Sequence, residues 1–103
     1  MSDHQRIDRQ VAAMHRVIAE RLRSGDLSPL ERARSNLKRW EHQFGGVLPA
    51  AYLEWVAILD SGLDAVLRVL DGGDQDAVRV RSSSPFAGVL SPRERWEILR
   101  RAA

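Results

Sequence analysis

The feature that most constrains this chain is the alternation of apolar residues at helical spacing with short signals that end or begin helices. Glycine follows the periodic segments at Gly25, at Gly45-Gly46 and at Gly72-Gly73, where helices commonly end. Between these signals, apolar residues recur at intervals of three and four, which is typical of amphipathic helices. The sequence therefore predicts an all-α fold, a compact bundle of five or six helices.

The first periodic segment is the longest and predicts a long N-terminal amphipathic helix from about Asp3 to Ser24. Its stripe consists of Ile7, Val11, Met14, Ile18 and Leu22. The same spacing fits a short two-heptad seam, so these five residues are predicted to contact a second copy of the chain or a protein partner. We expect this helix to pack less tightly than the others, which form the bundle.

Two Ser-Pro segments predict helix starts of the capping-box type, with proline at the first helical position. They are Leu27–Glu31 and Ser91–Glu94. Residues 27–32 (LSPLER) and 90–95 (LSPRER) match at five of six positions, although no repeat continues beyond them. The second segment predicts a last helix that runs to about Arg101.

Two further helices are expected in the middle of the chain, from near Pro49 to Asp60 and from a box-like start at 61–64 to Asp71. The third helix should bury Tyr52 or Leu53, Trp55 or Val56, and Leu59.

Residues 74–81 are ambiguous, because Val78 and Val80 alternate with arginines as in a strand. We favour a short helix, since a lone strand would lack a partner and Asp74 is a good N-cap. The apolar segment 86–90 should enter the core as a loop.

Length and composition exclude several classes. With 103 residues and no cysteine, we expect one helical domain over residues 1–103, without a disulfide, a zinc knuckle or a thiol nucleophile. Residues 1–10 are polar, and no apolar run approaches the roughly 20 residues of a membrane span. A cytoplasmic protein with no membrane contact is therefore expected.

The formal net charge of +2 conceals a segregation along the chain. Residues 1–53 carry +3, residues 54–76 carry −5 and residues 77–103 carry +4. Such a pattern predicts either charge pairing within the fold or separate faces for partners.

The basic C-terminal segment suggests an alternative function, a small DNA-binding regulator. Its candidate contacts to an anion or a nucleic acid are Arg79, Arg81, Ser82, Ser83, Arg93, Arg95, Arg100 and Arg101. A solvated arginine-rich helix is the competing interpretation. Phe86 and Trp96 are expected in the core rather than as stacking platforms.

No constellation in the sequence points to catalysis. His4, His15 and His42 lack metal-ligand spacing and are interpreted as surface or capping residues. Acids such as Asp60 and Asp64 lie at predicted helix ends, where carboxylates serve as caps. There is no Gly-x-Ser-x-Gly motif. We therefore expect no enzyme, with no catalytic residue, metal or cofactor.

Residues 81–99, RSSSPFAGVLSPRERWEIL, resemble the C-terminal part of small helical bacterial proteins associated with nucleotidyltransferase-type toxin–antitoxin loci. The resemblance covers about a fifth of the chain and includes no catalytic motif. It implies an antitoxin-like or regulatory partner protein. The favoured function is accordingly a protein-interaction module.

Overall fold

The computed structural model describes residues 2–102, which form helices joined by short loops, with no strand in that range. The helices are α1 (Asp3–Arg23), α2 (Ser28–Gln43), α3 (Ala50–Asp60), α4 (Leu63–Asp71), α5 (Gln75–Arg81) and α6 (Pro92–Ala102). The predicted all-α bundle with a long N-terminal helix is confirmed. In the ambiguous segment 74–81, residues Gln75–Arg81 are helical, and Asp74 occupies the N-cap position without the expected side-chain capping bond.

Helix α1 lies at the centre of the packing. It contacts α4 and α6 most extensively and also touches α2 and α5. Its second half buries Ile18, Ala19 and Leu22 in the core. The prediction that α1 packs less tightly than the other helices is therefore wrong for this half, whereas residues 2–9 are exposed.

A single hydrophobic cluster joins residues from α1 to α5 and from the loop before α6. Trp55 on α3 is its largest fully buried side chain. The Trp55 indole N–H donates to the carbonyl oxygen of Val80 at 2.9 Å, so its polar group is satisfied inside the core. Its ring meets the Phe86 ring in a T-shaped contact, with centroids 5.6 Å apart. This pair joins α3 to the loop between α5 and α6.

The loop between α5 and α6 enters the core as predicted, because Phe86 and Leu90 are buried. Asn36 on α2 holds one side of it, donating from Nδ2 to the carbonyl oxygens of Pro85 and Ala87 at 2.8 and 2.9 Å. Asn36 is itself almost fully buried. Buried backbone carbonyls need hydrogen-bond donors. The asparagine supplies them to a loop whose carbonyls are not paired within a helix or a sheet.

Two helices begin with complete capping boxes. Ser2 and Gln5 form the box of α1, in a position that the sequence analysis did not single out. Ser91 and Glu94 form the predicted box of α6: the Glu94 amide donates to Ser91 Oγ at 3.1 Å, and the Ser91 amide donates to Glu94 Oε1 at 3.0 Å.

The other two predicted boxes are absent. At α2 the Ser28 hydroxyl makes no capping bond, and the Asp26 carboxylate accepts from the Ser28 amide at 3.0 Å instead. At α4 the N-cap is Gly62, whose φ of 104° lies in the left-handed region that favours glycine. Ser61 belongs to the end of α3, where its hydroxyl donates to the carbonyl of Ala57.

Candidate functional site

The predicted interface stripe on α1 is divided by the fold. Ile18 and Leu22 are buried in the chain's own core, which removes them from any partner contact and corrects that part of the prediction. Met14 is partly buried against the core, and Val11 has intermediate exposure. Ile7 is 51% exposed, so the surface left for a partner is the N-terminal half of the stripe.

A more concentrated apolar surface lies where α2 ends and α3 begins. We call it the α2–α3 corner and define it as Phe44, Val47 and Leu53, which are 54%, 73% and 50% exposed. Among residues 2–102, seven large hydrophobic side chains are exposed, and three of them lie in this ten-residue stretch. Contiguous apolar surface of this kind commonly marks an interaction site.

Aromatic rings pack against the α2–α3 corner. The Tyr52 ring lies 5.1 Å from that of Trp40 and 6.2 Å from that of Phe44, measured between centroids. Phe44 lies four residues after Trp40, at helical spacing, but α2 ends at Gln43 and the Phe44 side chain is 54% exposed. The signal that could have identified it is the pair Gly45-Gly46 directly after it, both with positive φ.

The charge segregation resolves largely into pairing within the fold. Glu54 receives two hydrogen bonds from the Arg79 guanidinium, at 3.0 and 2.9 Å, and Arg79 also contacts Asp76. These bonds lower the pKa of Glu54 and raise that of Arg79. Arg34 pairs with Asp60 through a single hydrogen bond of 3.0 Å. Carboxylates of the acidic middle segment thus pair with basic side chains from both ends of the chain. This agrees with the alternative that predicted charge pairing within the fold.

Arg81, which the sequence predicts as a contact to an anion or a nucleic acid, is buried and is not displayed on the exposed basic surface. Its Nη1 donates to the carbonyl oxygens of Val69 and Gly72, at 2.8 and 2.6 Å. These are orphan carbonyls at the C-terminus of α4, where a cation is favourable. Burial lowers the pKa of Arg81.

The remaining candidate anion contacts are dispersed. Ser82 donates to the carbonyl of Arg79 at 2.5 Å, and Ser83 has intermediate exposure. On α6, Arg95 lines a cavity beside α1, Arg101 lines the groove between α1 and α6, and the outward side carries Arg93 and Arg100. The structure therefore does not bring the eight predicted residues onto one surface.

Trp96 lies outside the core, contrary to the sequence-based expectation. It is 62% exposed, and the Arg100 guanidinium lies 5.0 Å from its ring centroid. Helix α6 packs mainly on α1, through the side that carries Glu94 and the partly buried Ile98. Trp96 falls on the opposite side, so its apolar context did not predict burial. Phe86 is buried as expected.

His15 is neither a surface residue nor a helix cap, which corrects its interpretation. It is buried between α1 and the loop, with Nδ1 2.7 Å from the carbonyl oxygen of Val11 and Nε2 2.7 Å from Ser84 Oγ. A neutral ring that donates from Nδ1 and accepts from the Ser84 hydroxyl satisfies both contacts. Burial lowers the pKa of His15, which favours this neutral form.

A cavity of about 240 Å³ lies beside the His15–Ser84 pair. Its walls are mostly apolar and include Met14, Phe86 and Leu90. Ser84 Oγ also accepts from the Phe86 amide at 3.3 Å, so the pair holds the loop against α1. Within residues 2–102 no three side chains of the metal-binding types cluster as a metal site would require.

None of the helices within 2–102 has the length and hydropathy that crossing a bilayer requires. Comparisons of the chain with protein-family models, with curated proteins and with solved structures found no match. The geometry of the described residues is therefore the basis for the functional proposal.

Proposed function

We propose that this chain is a non-enzymatic protein-interaction module that binds its partner through the α2–α3 corner. The observation that carries the proposal is the exposure of Phe44, Val47 and Leu53 within ten residues that span the end of α2, the loop and the start of α3. Leaving three large apolar side chains half or more in water forgoes the free energy that their burial would provide, about 25 cal/mol for each Å². A protein partner that covers them recovers this free energy.

The surroundings of the corner favour a binding anchor. Tyr52 packs between Trp40 and Phe44, so the aromatic rings are held rigidly and little side-chain entropy is lost on binding. Aromatic side chains of this kind dominate the energetics of interfaces. The same two helices, α2 and α3, also enclose a groove whose apolar lining includes Leu37 and Val56.

The rim of this groove indicates the chemistry of the partner. Lys38 and Arg34 stand on it, together with Glu41, and Arg34 is already paired with Asp60. A partner segment with apolar side chains beside a carboxylate fits this rim, with Lys38 as the cation that it meets. More specifically, we propose an antitoxin-like or regulatory protein of a bacterial toxin–antitoxin pair. The resemblance of residues 81–99 supports this proposal.

Affinity capture from the source cells, with quantitative mass spectrometry, tests the proposal. We would compare the native chain with a corner variant, Phe44→Ser with Val47→Ser, and with a matched control, Leu27→Ser with Leu63→Ser. All four residues are exposed, so both variants should fold. We expect one protein to be captured by the native chain and the control, and to fall at least about tenfold with the corner variant.

Equal capture of that protein by the native chain and the corner variant would contradict the proposal. Loss with Ile7→Asp and Val11→Asp, but not with the corner variant, would move the interface to α1. A native chain that retains nucleic acid, with affinity falling steeply as salt rises, would favour the DNA-binding alternative. Light scattering on the purified chain distinguishes a second copy from a different partner protein.

A further inference from the structure

A cleft lined by charged side chains lies between α1 and the turn that joins α4 to α5. It measures about 300 Å³. Three arginines line it, Arg9 and Arg16 from α1 and Arg81 from the end of α5. The backbone of Gly72-Gly73 forms part of the opposite wall.

The buried guanidinium of Arg81 is incompletely satisfied. Only 4% of Arg81 is exposed, and its Nε has no hydrogen-bond partner. Nη1 donates to two carbonyls, but no carboxylate within residues 2–102 lies at ion-pair distance from this group. A buried charge without a counterion carries a large desolvation cost. An anion bound beside the Arg81 guanidinium would offset that cost.

The neighbouring charges leave the cleft positive. Asp74 attracts Arg81, Arg16 repels it, and Asp8 attracts it more weakly, but neither carboxylate lies at ion-pair distance from it. Asp8 and Asp71 also line the cleft, and Asp71 is ion-paired with Arg23, so three lining arginines face two lining carboxylates. An anion between the α1 arginines and Arg81 would relieve their repulsion and supply acceptors for the guanidinium.

The turn allows a ligand to approach the backbone closely. A side chain at Gly72 would collide with Ala77 Cβ at 2.7 Å and with the Arg68 carbonyl oxygen at 2.8 Å, so glycine is required there. The space beside Gly73 is open. The atoms of Ala77, Arg68 and Asp74 fill the space at Gly72, so ligand oxygens can approach the turn only beside Gly73.

We propose that this cleft binds a phosphate group, as inorganic phosphate or as a small phosphate monoester, between Arg16 and Arg81. A phosphate dianion presents several acceptor oxygens, which match the planar donor edges of two guanidinium groups. No aromatic side chain lines the cleft, so a nucleobase would find nothing to stack on. The ligand class is accordingly a small polar phosphate.

Nuclear magnetic resonance titration of the full chain tests this site. The signals to follow are the side-chain Nε–H of Arg81 and the backbone amides of Gly72 and Gly73. Inorganic phosphate, glycerol 3-phosphate and chloride would be added at equal ionic strength. We expect saturable shifts with both phosphates and none with chloride. Tighter binding of glycerol 3-phosphate identifies an ester as the ligand, and equal or weaker binding identifies free phosphate.

Arg16→Gln should weaken phosphate binding by about tenfold or more, because it removes one charged donor. Arg93→Gln removes the same charge from the exposed side of α6 and should leave the affinity unchanged. An unfolding midpoint close to that of the native chain would verify that Arg16→Gln folds. Shifts that match those with chloride, or equal weakening by both variants, would overturn the proposal.

Discussion

Residues 27–32 and 90–95 differ at one position in six, yet they begin their helices in different ways. Ser91 caps α6 with its own hydroxyl, whereas Ser28 already lies inside α2. The residue two places before each serine explains the difference. Asp26 offers a carboxylate to the Ser28 amide, and the corresponding residue before Ser91 is Val89, which has no acceptor side chain.

The two segments also differ in what surrounds them. Leu90 is buried at 7% exposure, while Leu27, its counterpart, is 49% exposed. Arg21 on α1 reaches the second segment twice, donating to the Val89 carbonyl at 3.2 Å and pairing with Glu94. A capping motif therefore indicates that a helix begins nearby, but its neighbours decide which groups form the cap and which side is buried.

The largest expected difference lies at the two leucines. Leu90→Ala should reduce the free energy of unfolding by about 2–5 kcal/mol, because it leaves a cavity in the core. Leu27→Ala should change it by no more than about 0.5 kcal/mol, since this side chain is already half in water. Urea unfolding followed by tryptophan fluorescence measures both. Equal losses would show that the second segment is not anchored in the core.

The two serines should differ by less, in the same direction. Ser91→Ala removes a capping hydroxyl and should cost about 1 kcal/mol. Ser28→Ala should cost only a few tenths of a kcal/mol, because its hydroxyl caps nothing. Thermal unfolding by circular dichroism can compare them. A Ser28→Ala loss as large as that of Ser91→Ala would mean that both starts use the same cap.

Acid should weaken the two regions in different pH ranges. His15, which holds the loop leading to Ser91, has a folded pKa below its ordinary 6.5, so the unfolded chain binds its proton first. Stability should therefore fall as the pH drops below 6.5, until the folded pKa is passed. Hydrogen bonds from the Ser28 side chain and backbone amide lower the folded pKa of Asp26 from 3.8, so its contribution is complete above 3.8 and is lost only as the pH falls below that value.

Unfolding midpoints of the native chain and His15→Gln at pH 7.5 and pH 5 measure the histidine contribution. The variant should be less stable at pH 7.5, because glutamine does not reproduce the imidazole contacts. It should lose less on acidification, because it has no proton to bind at that position. A native chain whose stability does not change between these two values would contradict the buried neutral histidine.

The smallest effect is a coupling at the first segment. In an Asp26→Ala background the Ser28 amide loses its acceptor, and the Ser28 hydroxyl becomes free to cap α2. Ser28→Ala should then cost more than it does in the native chain. A double-mutant cycle of unfolding free energies measures this coupling. Additive losses would show that Asp26 does not determine how α2 begins.

Much of the fold could be predicted because its signals are local. Short stretches of the sequence were enough to predict the glycines that end helices, the helix in segment 74–81 and the apolar loop 86–90. The site was less predictable. Burial of Arg81 and exposure of Trp96 depend on which side of a helix packs against a neighbouring element. The residue spacing within α5 or α6 does not reveal which side that is. The α2–α3 corner was missed for the same reason.

The sequence by itself determined the helices of this protein and nearly all their ends. Helical hydrogen bonds join residues four apart, and capping bonds join residues two or three apart, so both are contained in short segments. The tertiary structure alone decided which polar groups are buried and which apolar surface remains open. His15 and Ser84 are 69 residues apart, and only the packing of α1 against the loop places their side chains in contact.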